Sequence, residues 1–90
     1  MPGSIGRRSD TVRQEELDDE LTLFDISSGT ALALNRTARE IWSRADGQTA
    51  LDDVVADLAA RYQTAPEVIR ADVVSALTAL EDAGVLVRDP

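Results

Sequence analysis

Cysteine and histidine are both absent from this chain of 90 residues. Their absence removes disulfide staples, thiol nucleophiles, imidazole bases and zinc sites built from the usual ligands. Lysine is absent as well, so the nine basic residues are all arginine, set against 17 acidic ones for a net charge of −8. A field of that sign repels phosphate backbones and anionic lipid, so neither nucleic acid nor membrane is an expected partner. No apolar stretch reaches membrane-spanning length, and the polar run Met1 to Gln14 has no signal-peptide pattern, which points to the cytoplasm. The carboxylates offer little chemistry. Asp18-Asp19 and Asp52-Asp53 are neighbours in sequence and point in different directions on a strand or helix. The chain is therefore expected to have no catalytic residue, metal or cofactor, and not to be an enzyme.

What is present reads as one small domain, able to bury about 60% of its unfolded surface. Residues 1–10, MPGSIGRRSD, show no periodicity and are expected to be a disordered or loosely attached tail, leaving the domain to residues 11–88. Thr11 to Gln14 suggests a short first strand, and the acidic EELDDE after it a solvated turn. Two apolar strands then meet across Ser28-Gly29. Read as a two-residue loop, this pairs Ser27 with Thr30, Asp25 with Leu32 and Leu23 with Leu34. Leu21, Leu23, Leu32 and Leu34 then share the face that packs on helices, while Thr22, Phe24, Ile26, Ala31 and Ala33 share the other. In that register Thr30, Leu32 and Leu34 turn their backbone groups inward, and Ala31 and Ala33 turn theirs outward.

Three helices follow. Asn35 or Thr37 can cap the first, whose Ala38, Ile41, Trp42 and Ala45 form one stripe before Gly47. The second carries Thr49 with Asp52 as a capping pair and an apolar face of Leu51, Val54, Val55, Leu58, Ala59 and Tyr62. The third opens on the box Thr64 with Glu67 and has Pro66 in its first turn. Its stripe is Ile69, Val73, Leu77 and Leu80, and it stops at Gly84. Val85-Leu86-Val87 reads as a short apolar tail. The whole is an α+β chain: a three-stranded antiparallel sheet followed by three helices.

No later strand covers the far edge of the hairpin, so its backbone N–H and C=O groups stay available to another chain. Beside the stripe of the third helix, Arg70, Val74, Thr78 and Glu81, with Glu67 near them, form a shoulder able to border a groove.

Leu23-Phe24-Asp25, Ser28-Gly29, Leu34-Asn35, Ala38 with Ile41-Trp42, Arg61-Tyr62 and Ala83-Gly84-Val85-Leu86 together resemble the PqqD family, over about Val12 to Val87. That family supplies the recognition elements for precursor peptides that are ribosomally made and then modified. The resemblance implies a winged-helix-like fold, with the leader region of a precursor peptide adding as a strand and lying against the third helix. Carried onto this chain, the peptide-binding residues are Thr30, Ala31, Leu32, Ala33 and Leu34, with Glu67, Arg70, Val74 and Thr78 facing them. It further implies a free-standing member that serves an enzyme made separately, such as a lasso-peptide leader protease or a radical enzyme. Two other readings fit the pattern: an acidic adaptor holding a partner enzyme through Phe24 and Ile26 with no peptide cargo, and a winged-helix DNA-binding protein, which the acidic last helix disfavours.

Overall fold

The computed structural model describes residues 3–88. The chain runs through β1 (Arg7–Arg8), β2 (Val12–Leu17), β3 (Glu20–Asp25), β4 (Thr30–Leu34), α1 (Arg36–Ser43), α2 (Leu51–Tyr62), α3 (Pro66–Asp82) and β5 (Leu86–Val87). Strands β2, β3 and β4 form an antiparallel sheet in that order, and β1 pairs with β5 in a separate antiparallel pair. The expected α+β arrangement is present, with one small strand pair added. Among the described residues no helix is long and apolar enough to cross a membrane.

Alternation along the hairpin sets the packing. Leu21, Leu23 and Leu34 are buried and Leu32 is half-buried against the helices, whereas Phe24, Ala31 and Ala33 face outward. The register differs from the expected one. Asp25 stands opposite Thr30, Leu23 opposite Leu32 and Leu21 opposite Leu34, so the loop is Ile26–Gly29, four residues and not two. Asp25 is the physical cause. Its carboxylate accepts from Thr11 Oγ1 at 2.5 Å, Ser28 Oγ at 2.8 Å and Ser27 Oγ at 3.1 Å, while its carbonyl accepts from Gly29 N–H at 2.8 Å. A carboxylate with three hydroxyl donors holds the wider turn, and Gly29 closes it at φ +74°. Because the slip is by two residues, every side chain stays on its expected face.

The acidic run is mostly strand. Glu15 to Leu17 belong to β2 and Glu20 to β3, leaving only Asp18-Asp19 to turn, with Asp18 at φ 56°.

The three core stripes stand as the periodicity requires: Ala38, Ile41 and Trp42 of α1, Val54, Val55, Leu58 and Ala59 of α2, and Ile69, Val73, Leu77 and Leu80 of α3 are all buried. Asn35 caps α1, its Oδ1 accepting from Ala38 N–H at 2.8 Å. The other two expected caps do not form. Thr49 donates its hydroxyl to Asp46 at 3.0 Å and Thr64 donates to the Tyr62 carbonyl at 3.1 Å; Ala50 and Ala65 begin the helices without side-chain caps. Each helix starts one residue later than its box requires, which leaves Thr49 and Thr64 one position before the cap. At the far end of α3, Val85 N–H donates to Leu80 O and Gly84 N–H to Glu81 O, a Schellman closure in which Gly84 takes φ +80°.

The expected tail needs correction. Residues 1 and 2 lie outside the described residues, but residues 3–10 are joined to the domain. Ile5 is wholly buried, and its N–H donates to Thr49 O at 2.9 Å. Gly47 N–H donates to Gly6 O, Leu51 N–H to Gly3 O, and Ser9 N–H to Val85 O. Arg8 donates to the Trp42 carbonyl at 2.9 and 3.2 Å while lying 5.2 Å from the Trp42 ring centroid. Gly6 has no room for a side chain, since a Cβ there would meet Val87 O at 2.6 Å. The apolar tail Val85–Val87 is thus the other half of this attachment. A single isoleucine between glycines gives no period to read, and most of the attachment is made by backbone.

Candidate functional site

The run Thr30-Ala31-Leu32-Ala33-Leu34 forms the free edge of the larger sheet, because β3 pairs with it on one side and no described strand pairs with it on the other. Which of its backbone groups are free follows from the ladder. Ile26 N–H donates to Thr11 O at 3.0 Å, so Ile26 turns its backbone toward β2. Alternation then turns Asp25, Leu23 and Leu21 toward β4, and their partners Thr30, Leu32 and Leu34 toward β3. Ala31 and Ala33 direct their N–H and C=O groups out of the sheet edge. This matches the sequence expectation, since a two-residue slip preserves parity.

Below this edge lies a groove of about 470 Å³. Leu32, Leu34 and Ala38 line one wall; Asp72, Ala76 and Ala79 of α3 line the other. The direction of α3 is fixed at its far end. Gly84 stands against Asp25, where a Cβ would come within 3.4 Å of Oδ2, and Asp25 is opposite Thr30. The C-terminal end of α3 is therefore beside the start of β4. Asp72, about 18 Å back along the helix, lies toward Leu34 and Asn35.

Of the expected site residues, the structure brings Leu32, Ala33 and Leu34 into this groove, with Thr30 and Ala31 continuing the same edge. Glu67, Arg70, Val74 and Thr78 are not brought to it. Val74 and Ala76 are two residues apart, about 200° around the helix, so they occupy opposite shoulders of the buried stripe. Arg70 pairs with Asp52 of α2 at 2.6 Å, Thr78 donates to the Val74 carbonyl at 3.0 Å, and Val74 and Glu67 are exposed. A valine beside the core stripe predicts a groove wall on its own shoulder, whereas the groove below β4 lies on the opposite one. A groove needs small residues, and Ser75, Ala76, Ala79 and Ala83 on the other shoulder were the signal available. Phe24 and Ile26 are exposed, at 44% and 52%, Phe24 on the outer face of the sheet and Ile26 in the loop beside it.

Asp25 is buried at the loop end of the hairpin. Hydrogen bonds from the hydroxyls of Thr11 and Ser28, followed by Ser27, hold its carboxyl below the ordinary value. On α1, Glu40 is likewise held low, first by Arg44 at 2.7 Å and then by Arg61 at 2.8 Å, which fastens α1 to α2 away from the groove. Among the described residues no cluster of three acidic residues is arranged to hold a metal ion.

The sequence matches the profile of the family described as Coenzyme PQQ synthesis protein D (PqqD) over residues 20–86. No curated protein matches it in sequence. Among solved structures, the chain is similar to TbiB1 in complex with the TbiA(beta) leader peptide. Identity is 26%, 89% of this chain and 93% of that one are covered, and the TM-score is 0.77. It is also similar in fold to a lasso peptide synthetase B1 complexed with the leader peptide, at 24% identity, covering 93% of this chain and 99% of that one, with a TM-score of 0.79.

Proposed function

The chain belongs to the PqqD family, and from that premise we propose that it binds the leader region of a ribosomally synthesised precursor peptide and presents it to a modifying enzyme or leader protease in natural-product biosynthesis. The observation that carries this reading is the free edge of β4 standing over a groove lined by leucine and alanine side chains together with the polar groups of Asn35, Thr37, Asp72 and Ser75. An extended leader adds as a fourth strand, exchanging hydrogen bonds with Ala31 and Ala33 and turning alternate side chains into the groove. TbiB1, a structural relative, was solved with a leader peptide, and that supports the assignment.

The magnitudes suit a delivery role. Ladder bonds contribute about 0.5–1.5 kcal/mol each and buried apolar anchors about 1.5–3 kcal/mol each. Ordering a flexible leader costs about 2–5 kcal/mol. Several bonds and two or three anchors reach the roughly −8 kcal/mol of micromolar binding. The tethered core of the precursor is then held at high local concentration beside an enzyme. Filling the groove leaves Phe24 on the outer sheet face, and Ile26 in the loop beside it, uncovered for that enzyme.

Calorimetry and amide chemical shifts, with the leader of a precursor encoded beside this gene, test the reading. Binding is expected at micromolar strength or better, with the largest shifts at residues 30–34 and along the Asp72–Ala79 side of α3. No heat and no shift at millimolar peptide overturns it. Capture of the neighbouring enzyme without any leader binding makes the chain an adaptor instead.

A further inference from the structure

We propose that Asp72 makes the groove selective for a peptide with a basic side chain at the position facing Leu34, an inference that rests on the peptide-binding reading above. Asp72 is the one ionisable residue lining the groove, and it is exposed. Among the described residues it has no ion-pair partner.

Among the described residues no arginine is placed to serve it. Arg39, Arg44, Arg61, Arg70 and Arg88 are held in ion pairs with other carboxylates. Arg7 lies near Asp10, Arg8 is bound to Trp42, and Arg36 sits 4.6 Å over the Tyr62 ring. Arg13 pairs across from Phe24 and shares its outer face of the sheet.

An added strand changes the surroundings of Asp72. Cross-strand neighbours place their side chains on the same side of a sheet, so the peptide residues opposite Leu32 and Leu34 both point into the groove. The first meets the wall of Ala76 and Ala79; the second, toward the other end, meets Asp72. Covering an unpaired carboxylate with an apolar side chain removes water from it without compensation, and an acidic side chain adds repulsion. A lysine or arginine at that position supplies the missing partner, and the net charge of −8 draws such a peptide in. The recognised pattern is therefore an apolar anchor and a basic residue two positions apart, both on the groove side of the added strand.

The experiment is selection of a displayed library of random 12-residue peptides on the parent protein and on Asp72→Asn, Asp72→Arg and Asp82→Asn, each first checked for helical content by circular dichroism. The parent is expected to enrich Lys or Arg two residues from an apolar anchor. Asp72→Asn should lose that preference, and Asp72→Arg should replace it with Asp or Glu at the same position. Asp82→Asn, which alters the net charge equally outside the groove, should keep the parent pattern. In titration the best parent peptide should bind Asp72→Asn about fivefold more weakly, with the difference shrinking at high salt. Enrichment without a positional charge preference, or a preference that survives in Asp72→Asn, overturns this inference and leaves peptide binding standing. No enrichment by the parent overturns both.

Discussion

At one flank the chain adds a strand to itself: β1 pairs with β5, Ile5 enters the core and Arg8 grips Trp42. At the other flank β4 ends the sheet with Ala31 and Ala33 turning their backbone groups outward, over a groove lined by both apolar and polar groups. The first flank shows what a filled strand site requires: ladder bonds, one apolar anchor and one cation. The second has places for the same three components and no segment among the described residues to supply them. Strand addition inside the molecule thus serves as the template for strand addition from outside it.

Proline substitutions probe the open flank most strongly. Leu32→Pro deletes an N–H turned toward β3 and a half-buried side chain of the leucine face, costing about 3 kcal/mol or more in a domain whose total margin is about 5–15 kcal/mol. Loss of the cooperative circular dichroism melt is expected. Ala33→Pro deletes an N–H that only an added strand uses, so the melt should persist while leader affinity falls about tenfold or more. Unfolding of Ala33→Pro with survival of Leu32→Pro would invert the parity on which the comparison rests.

The closed flank has its own test. Ile5→Ala empties a fully buried site and should cost about 2–5 kcal/mol by chemical denaturation. An unchanged midpoint would mean that the N-terminal segment is a passive cover and the two flanks are not alike. Where the protein still folds, its leader affinity should match the parent's, since Ile5 does not line the groove.

The smallest effect is confined to acid solution and lies between the flanks, where Asp25 ties Thr11 to the hairpin loop. Its lowered carboxyl means that the folded state favours the ionised form. The stability it contributes is fully present above the unfolded value of about 3.9 and is lost as pH falls through the folded one. Melting temperatures taken from pH 6 to pH 3 should therefore fall more steeply for the parent than for Asp25→Asn. Equal slopes would remove Asp25 as the source.

These contrasts also explain what the sequence disclosed. Residues with a strong period disclosed themselves: the stripes of α2 and α3 and the leucine face of the hairpin each follow from spacing alone. The free edge was legible because it depends only on strand order and parity. Three things were not. The loop width depended on Asp25 collecting hydroxyls from Thr11, Ser27 and Ser28, a tertiary event. The attachment of residues 3–9 is mostly backbone bonding around one isoleucine. The groove side of α3 depends on how that helix is rotated against β4, a tertiary outcome, and both shoulders flank the same buried stripe, so spacing alone does not choose between Val74 and Ala76.

The pairing of Arg7 with Val87 has a practical consequence for anyone joining this domain to another protein. Before β1 the chain runs on to Gly3, whose carbonyl accepts from Leu51 N–H at the start of α2, and neither that segment nor β5 lines the groove. A junction at either end of the described chain therefore leaves every residue that lines the groove in place. A gene fusion to a processing enzyme made there would change the reach of the groove without altering its shape.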